Sequence, residues 1–387
     1  MLVRAGRHFL QIPGPTNVPD RVLQAMARPT IDHRGPQFAA LGRRVLEGIR
    51  TVFKTSGPVV IYPSSGTGAW EAALVNTHSP GDAVLMYETG QFSTLWATMA
   101  TRLGLDVEVL EGNWRTGVDA ERIQGALEAQ PGRFRSVAVV HNETSTGVTS
   151  DIEAVRRAMD AAGSEALLLV DTISSLGSID YRHDEWGADV TVCGSQKGLM
   201  LPPGLGFNAI SDKARAAAAD ARLPRSYWDW EDMLASAPAG MFPYTPATNL
   251  LYGLAEAIDL LHAEGLDAVF ARHDRHAEAT RRAVEHWGLE LWATVAEQRS
   301  SVLTAVLLPD GHDADEFRRI ALERFDLSLG AGLARLAGKV FRIGHLGDLN
   351  DLTLAGTLAG VEAALGIAGV PIRRGGVEVA MERLAAS

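Results

Sequence analysis

The sequence predicts an α/β protein, with a large domain built on a mostly parallel sheet and a small C-terminal α+β domain. Three observations predict it. Short apolar runs alternate with helical patterns between residues 59 and 192. Polar clusters stand at the ends of those runs, where open α/β sheets bind ligands. Later in the chain the order changes to strand–helix–strand–helix. The expected division is an N-terminal arm over 1–20, the large domain over 21–275 and the small domain over 276–387.

The elements follow in order. Residues 12–19 carry three prolines and a glycine, which excludes a regular helix. Asp20 is expected to cap a short helix over 20–26, with Val22, Leu23 and Met26 on one side. Asp32-His33-Arg34-Gly35-Pro36 is a polar turn. Leu41, Val45, Leu46, Ile49 and Phe53 recur at helical spacing and predict a helix over 37–53. A strand at 59–62 runs into Pro63-Ser64-Ser65-Gly66-Thr67-Gly68, and 69–75 reads as a helix. Strand, small-residue turn and helix let backbone N–H groups converge on an anion. The spacing is neither a dinucleotide fingerprint nor a Walker loop, and an ordinary strand–helix turn would look the same.

Strands are expected at 83–87, 106–110, 137–140, 166–170 and 188–192, with helices at 94–102 and 119–128 and one from Ser150 or Asp151 through 161. Residues 182–186 are polar and expected at the surface. Residues 199–207 are rich in proline and glycine and are assigned no strand. Helices are expected at 212–222, 247–263 and 267–287, the second burying Leu250, Leu251, Leu254 and Ile258. Tyr227, Trp228 and Trp230 are expected to serve packing or an interface, and residues 242–246 form a stiff aromatic turn. His273, His276 and His286 lack a metal-ligand pattern and are expected to be solvated or capping. Strands at 302–308 and 340–343 and helices at 314–325 and 352–365 complete the chain.

A net charge of −11, from 36 basic and 47 acidic residues, disfavours a general nucleic-acid binder and leaves room for a local basic pocket. The single cysteine rules out an intramolecular disulfide and a cysteine-rich metal site, and no metal is expected. Residues 1–13 carry Arg4 and Arg7 but no apolar stretch of signal-peptide length. No apolar run is long enough for a membrane span. The expectation is a soluble, cytoplasmic protein.

The ends of four strands carry chemistry: Ser65-Gly66-Thr67, Thr144, Asp171 and Lys197. A lysine just past a buried strand is either a solvated loop residue or an amine placed to form a Schiff base with a carbonyl cofactor. Asp171 closes an apolar run and is either a cap or backbone acceptor, or the partner of a cationic ring. Pyridoxal 5'-phosphate asks for a lysine to hold its aldehyde, an acid at its ring nitrogen, a donor cradle for its phosphate and a flat side chain over its ring. Lys197, Asp171, the Ser65-Gly66-Thr67 turn and Phe92 match those needs.

Seven segments, taken in order, carry a resemblance: Pro13-Gly14-Pro15-Thr16, Ser65-Gly66-Thr67-Gly68, His141-Asn142-Glu143-Thr144-Ser145-Thr146-Gly147, Val170-Asp171-Thr172-Ile173-Ser174-Ser175, Gly194-Ser195-Gln196-Lys197-Gly198, Phe242-Pro243-Tyr244-Thr245-Pro246 and Phe341-Arg342-Ile343-Gly344. The chain resembles the class V aminotransferases of the fold-type I pyridoxal phosphate enzymes over nearly its whole length. Within them it is most similar to the serine–glyoxylate, aspartate–glyoxylate and alanine–glyoxylate aminotransferases.

The resemblance implies a seven-stranded, mostly parallel sheet and a homodimer with shared active sites. It implies that Lys197 holds the cofactor and acts as catalytic base, and that Asp171 pairs with the ring nitrogen. Thr144 would donate to the ring hydroxyl oxygen, and Ile173 would pack opposite Phe92, where the family more often has tryptophan or tyrosine. Gln196 and the Ser65-Gly66-Thr67 turn would hold the phosphate. Thr245, with Phe242 or Tyr244, would reach the phosphate of a partner subunit. Arg342 would clamp the substrate α-carboxylate, and Gly14 is carried over as a substrate-binding position. Arg34 would either bind a distal carboxylate, favouring aspartate, or stay in solvent or an interface.

The implied reaction is transamination from a small L-amino acid, serine ahead of aspartate, to glyoxylate, giving glycine and a 2-oxo acid. Aspartate or alanine as donor are the alternatives. A cysteine desulfurase would need a mobile cysteine, and Cys193 falls on a predicted buried strand. The expected partners are small amino acids and 2-oxo acids, with no nucleic acid and no membrane.

Overall fold

The computed structural model describes residues 5–386; Arg4 and the outermost residues of the arm and of the small domain lie outside the described residues. The chain opens with β1 (Phe9–Gln11), α1 (Asp20–Met26), α2 (Pro36–Phe53), β2 (Val59–Ser64) and α3 (Gly66–Thr77). Next come β3 (Ala83–Tyr87), α4 (Gln91–Arg102), β4 (Asp106–Leu110), α5 (Ala120–Ala129) and β5 (Phe134–Val140). A two-stranded hairpin, β6 (Asn142–Glu143) and β7 (Val148–Thr149), precedes α6 (Ile152–Ala161), β8 (Leu167–Asp171), β9 (Val190–Gly194) and β10 (Gly204–Ile210).

The helices α7 (Asp212–Asp220), α8 (Trp230–Ser236), α9 (Thr248–Glu264) and α10 (Leu266–Trp287) lead into the second sheet. That part contains β11 (Glu290–Leu291), β12 (Leu303–Leu307), α11 (Ala314–Phe325), β13 (Leu327–Ala331), β14 (Val340–Gly344), α12 (Asp351–Ile367) and α13 (Gly376–Ala385).

The larger sheet has seven strands in the order β2-β10-β9-β8-β5-β3-β4. Six are mutually parallel in direction, and β10 runs antiparallel to both of its neighbours, β2 and β9. Both faces are covered. Val59 and Ile61 enter one apolar cluster while Val60 and Tyr62 enter the other. Leu168 and Val170 likewise oppose Leu167 and Leu169. Period-two alternation with both faces buried is why these strands appear in the sequence as unbroken apolar runs.

The smaller sheet has the order β1-β13-β14-β12-β11, with only the β1–β13 pair parallel. Phe9, from the stretch expected as an arm, pairs with Leu327 and so ties the chain start to this sheet.

Several expectations need correction. Strand β10 lies partly in the proline- and glycine-rich stretch assigned no strand; it begins at Gly204, just past Pro202 and Pro203. A Cβ at Gly206 would stand 2.7 Å from the Ser65 carbonyl, so the strand spends a glycine where the turn after β2 crosses it. Asp20 does not cap α1: Pro19 holds that position, and the Asp20 carboxylate pairs instead with Arg7 at 3.0 Å. His273 and His276 are buried rather than solvated; the first bonds the Val269 carbonyl and the Gly347 N–H, the second Asp351. His183 is buried within the segment expected at the surface, against Thr191. Leu250 is only half-buried.

Candidate active site

Parallel strands bring their carboxyl ends to one edge of a sheet. Here β8 ends at Asp171, β5 ends shortly before Thr144, and β9 ends shortly before Gln196 and Lys197. Ser65 follows β2 as the N-cap of α3, and Phe92 lies in the first turn of α4. Ser65, Gly66, Thr67, Phe92, Thr144, Asp171, Ile173, Gln196 and Lys197 therefore line one cavity of about 520 Å³.

Lys197 is 8% exposed, and its Nζ donates to the Pro13 carbonyl. Burial, reinforced by the positive charge of Arg342, pulls its pKa down to about 7, and Asp171 opposes that pull. An amine poised near neutrality can act as nucleophile and base. Gly14 packs directly on this side chain. Its φ is +98°, and a Cβ there would fall 2.3 Å from Lys197 Cδ, so a side chain at this position is excluded twice over.

Asp171 is buried with one donor on each oxygen: the Ile173 backbone N–H on Oδ1 at 2.7 Å and the Trp70 indole N–H on Oδ2 at 3.0 Å. Burial pushes its pKa up to about 7 against those donors. Arg342, in the middle of β14, is not part of the lining itself. Its Nη1 donates to the Thr144 carbonyl at 2.6 Å and its Nε to the Ala331 carbonyl at 2.8 Å. Burial lowers it to about 10, so it stays cationic at neutral pH.

One group is left for an anion: Ser65 places no side-chain hydrogen bond on α3, so the first N–H groups of that helix stay open. The buried Gln196 amide oxygen has no partner among the described residues; as an acceptor it cannot serve an anion, and the side chain would have to turn its NH2 toward one. Arg34, Phe242, Tyr244 and Thr245 do not reach the cavity of their own chain. Arg34 and Thr245 are exposed. Phe242 packs edge-on against Phe38 at 6.0 Å and lines a second cavity of about 430 Å³. Tyr244 stacks on Tyr227 at 4.4 Å.

Two further residues are absent from the expected set. Trp70 binds Asp171, as above. Glu143 is fully buried, and its carboxylate accepts from the backbone N–H groups of Phe92 at 3.3 Å, Ser93 at 3.2 Å and Ser145 at 3.1 Å, and from Ser145 Oγ at 2.6 Å. The only advance signal for Glu143 is its place beside Thr144 in the quoted motif. Trp70 gives none, since an aromatic in an apolar helix reads as core.

A family model for the class-V aminotransferases matches residues 8–334. The chain belongs to that family. This class-V aminotransferase is 51% identical over 379 residues to the serine–glyoxylate aminotransferase of Methylorubrum extorquens, covering 96% of this chain and 94% of the relative. It is 48% identical over 374 residues to the L-aspartate–glyoxylate aminotransferase of Paracoccus denitrificans, again covering 96% and 94%. The solved structure of a pyridoxamine–pyruvate aminotransferase from Mesorhizobium loti matches it with a TM-score of 0.93 at 29% identity, over 100% of this chain and 99% of that one.

The fold is that of the fold-type I pyridoxal phosphate enzymes, a large mixed-sheet domain with a smaller C-terminal one, and the protein is a transaminase. The residues present fit the family's cofactor. The cavity combines a buried amine near neutrality, a buried carboxylate and an uncapped helix start.

Proposed function

We propose that this aminotransferase moves the amino group of a small L-amino acid, serine ahead of aspartate, to glyoxylate, giving glycine and a 2-oxo acid. The cofactor in this reading is pyridoxal 5'-phosphate. The observation that carries it is the meeting of Lys197 and Asp171 on one cavity, with cationic Arg342 beside Thr144 at the edge. Glyoxylate comes from the two relatives, each named for it.

When bound, pyridoxal phosphate supplies an electron sink that acidifies the substrate α-carbon. Ser65, Gly66 and Thr67 would hold its phosphate through N–H and hydroxyl donors, joined by the Gln196 amide once it presents its NH2. Asp171 keeps the proton on the ring nitrogen, and the Thr144 hydroxyl donates to the ring hydroxyl oxygen. Phe92 and Ile173 close the two ring faces against water. Lys197 would anchor the aldehyde and, as a free amine, would take the substrate α-proton as general base. Arg342 holds the α-carboxylate of the donor and then the carboxylate of glyoxylate through charge-assisted hydrogen bonds. Gly14 leaves the approach to Lys197 clear of side chains.

Serine is favoured because Arg34 stays exposed and outside the cavity in its own chain, so it offers no distal-carboxylate contact there. The exposed position of Thr245, next to the Tyr227–Tyr244 stack, is compatible with reaching the phosphate of a second copy in a homodimer. A cysteine desulfurase is disfavoured: Cys193 is fully buried on β9, and burial pushes its thiol pKa up.

The test is a panel of serine, aspartate, alanine and glutamate against glyoxylate and pyruvate, read as kcat/KM. Serine with glyoxylate is expected to lead. No turnover with glyoxylate would sink the reading. In Arg34→Ala the serine-to-aspartate ratio is expected to hold; a selective loss with aspartate would move the assignment to aspartate.

A further inference from the structure

We propose that Trp70 is a positioning residue for Asp171, its indole N–H holding the Oδ2 carboxylate oxygen so that the carboxylate stays ionised against the cofactor ring. The inference rests on the pyridoxal phosphate reading above. It begins with what surrounds Asp171. Both hydrogen-bond donors to its carboxylate are neutral, Ile173 N–H at 2.7 Å and Trp70 Nε1–H at 3.0 Å. The titratable groups facing it are Glu143 after β5, which pushes its pKa up, Lys197 after β9, which pulls it down, and Cys193 on β9. With burial dominant, the carboxyl titrates at about 7. Near that midpoint a single donor changes the charged fraction substantially at physiological pH.

Trp70 is built to hold that donor still. It is 2% exposed in α3. Its ring stacks on Trp96 of α4 at 5.8 Å and 13°, and meets Phe92 edge-on at 6.4 Å and 60°. The indole is fixed on two sides, which aims Nε1 at Oδ2. The same ring therefore touches both the group expected under the cofactor ring nitrogen and the group expected over its face. Trp96, its stacking partner, has a buried indole nitrogen with no hydrogen-bond partner among the described residues. The stack thus contains one bonded and one unbonded indole N–H, a natural control.

The experiment reconstitutes wild type, Trp70→Phe and Trp96→Phe with pyridoxal phosphate labelled with ¹⁵N at the ring nitrogen. The ¹⁵N shift is followed against pH, and the cofactor dissociation constant is measured. Loss of one hydrogen bond to a charged group corresponds to roughly one pKa unit. Trp70→Phe is expected to change the ratio of protonated to neutral ring about tenfold toward neutral and to weaken cofactor binding severalfold, while Trp96→Phe leaves the ring resonance in place. Trp70→Leu, which packs differently and also lacks the N–H, is expected to match Trp70→Phe. An unchanged resonance in the Trp70 variants, or an equal movement in Trp96→Phe, overturns the inference. A wild-type protein that takes up no pyridoxal phosphate overturns the cofactor reading, and this inference with it.

Discussion

Lys197 reaches the middle of its titration at about 7, so the free amine is abundant at neutral pH without any cofactor present. Burial favours the neutral form, so protonation takes over only as pH falls below that value. Uptake of pyridoxal phosphate by the apoprotein, which needs the free amine, is expected to slow about tenfold per pH unit below 7 and to level off above it. Stopped-flow absorbance checks this; a rate that stays flat from acid to alkaline pH would contradict it. Lys197→Ala is expected to lower kcat by a factor of about 100 to 10,000, the usual reach of a general base, and to abolish borohydride trapping of the cofactor. Arg342→Lys keeps the charge but loses the planar fork, so kcat/KM is expected to fall about tenfold to a hundredfold across all donors. A donor-specific loss would argue against an α-carboxylate contact. Lys197 and Asp171 were legible because each follows an apolar run. Trp70 was not, because its hydrogen bond joins segments 101 residues apart and leaves no mark on local spacing.

Helix α4 shows how an element can depend on a distant residue. Its N-cap is Gly90, which has no side chain to offer. Glu143, packed directly against Gly90, supplies the missing acceptor, taking the Phe92 and Ser93 N–H groups, while Ser145 Oγ takes that of Gln91 at 2.9 Å. A carboxylate at a helix start also complements the macrodipole. All four partners of Glu143 are donors, so Glu143→Gln must turn one N–H against another. Loss of that charged acceptor is expected to destabilise the fold by about 1.5–3 kcal/mol and to weaken pyridoxal phosphate binding about tenfold, through Phe92. Calorimetry and cofactor titration measure both; an unaffected cofactor affinity would show that Phe92 is held by packing alone. The sequence put a helix at 94–102, starting two residues past Phe92, and could not show what holds its start, since Glu143 lies 51 residues from Phe92. The proline- and glycine-rich approach to β10 hid that strand for a different reason: its breakers precede it, and its interior glycine answers to a crossing turn rather than to any local preference.

Across the whole molecule, the alternation of strands and helices made the large sheet legible, while the smaller sheet was read only in part. β1 and β13 are short, and their pairing joins Phe9 to Leu327, a connection that periodicity cannot report. The proposed homodimer belongs to this scale. Sedimentation is expected to give twice the chain mass, and the 242–245 turn is expected to be protected from hydrogen exchange in the assembly; a monomer with full activity would refute the shared site. The sheet order has one more consequence, for synthesis. Strand β2 sits at the edge, and its one neighbour in the sheet is β10. On a ribosome adding roughly 5–20 residues per second, β2 must wait on the order of ten seconds for that partner. Until β10 is made, β2 has no partner in the sheet, and the Ser65-Gly66-Thr67 turn is held through the packing of α3 against β9 and of α2 against β2.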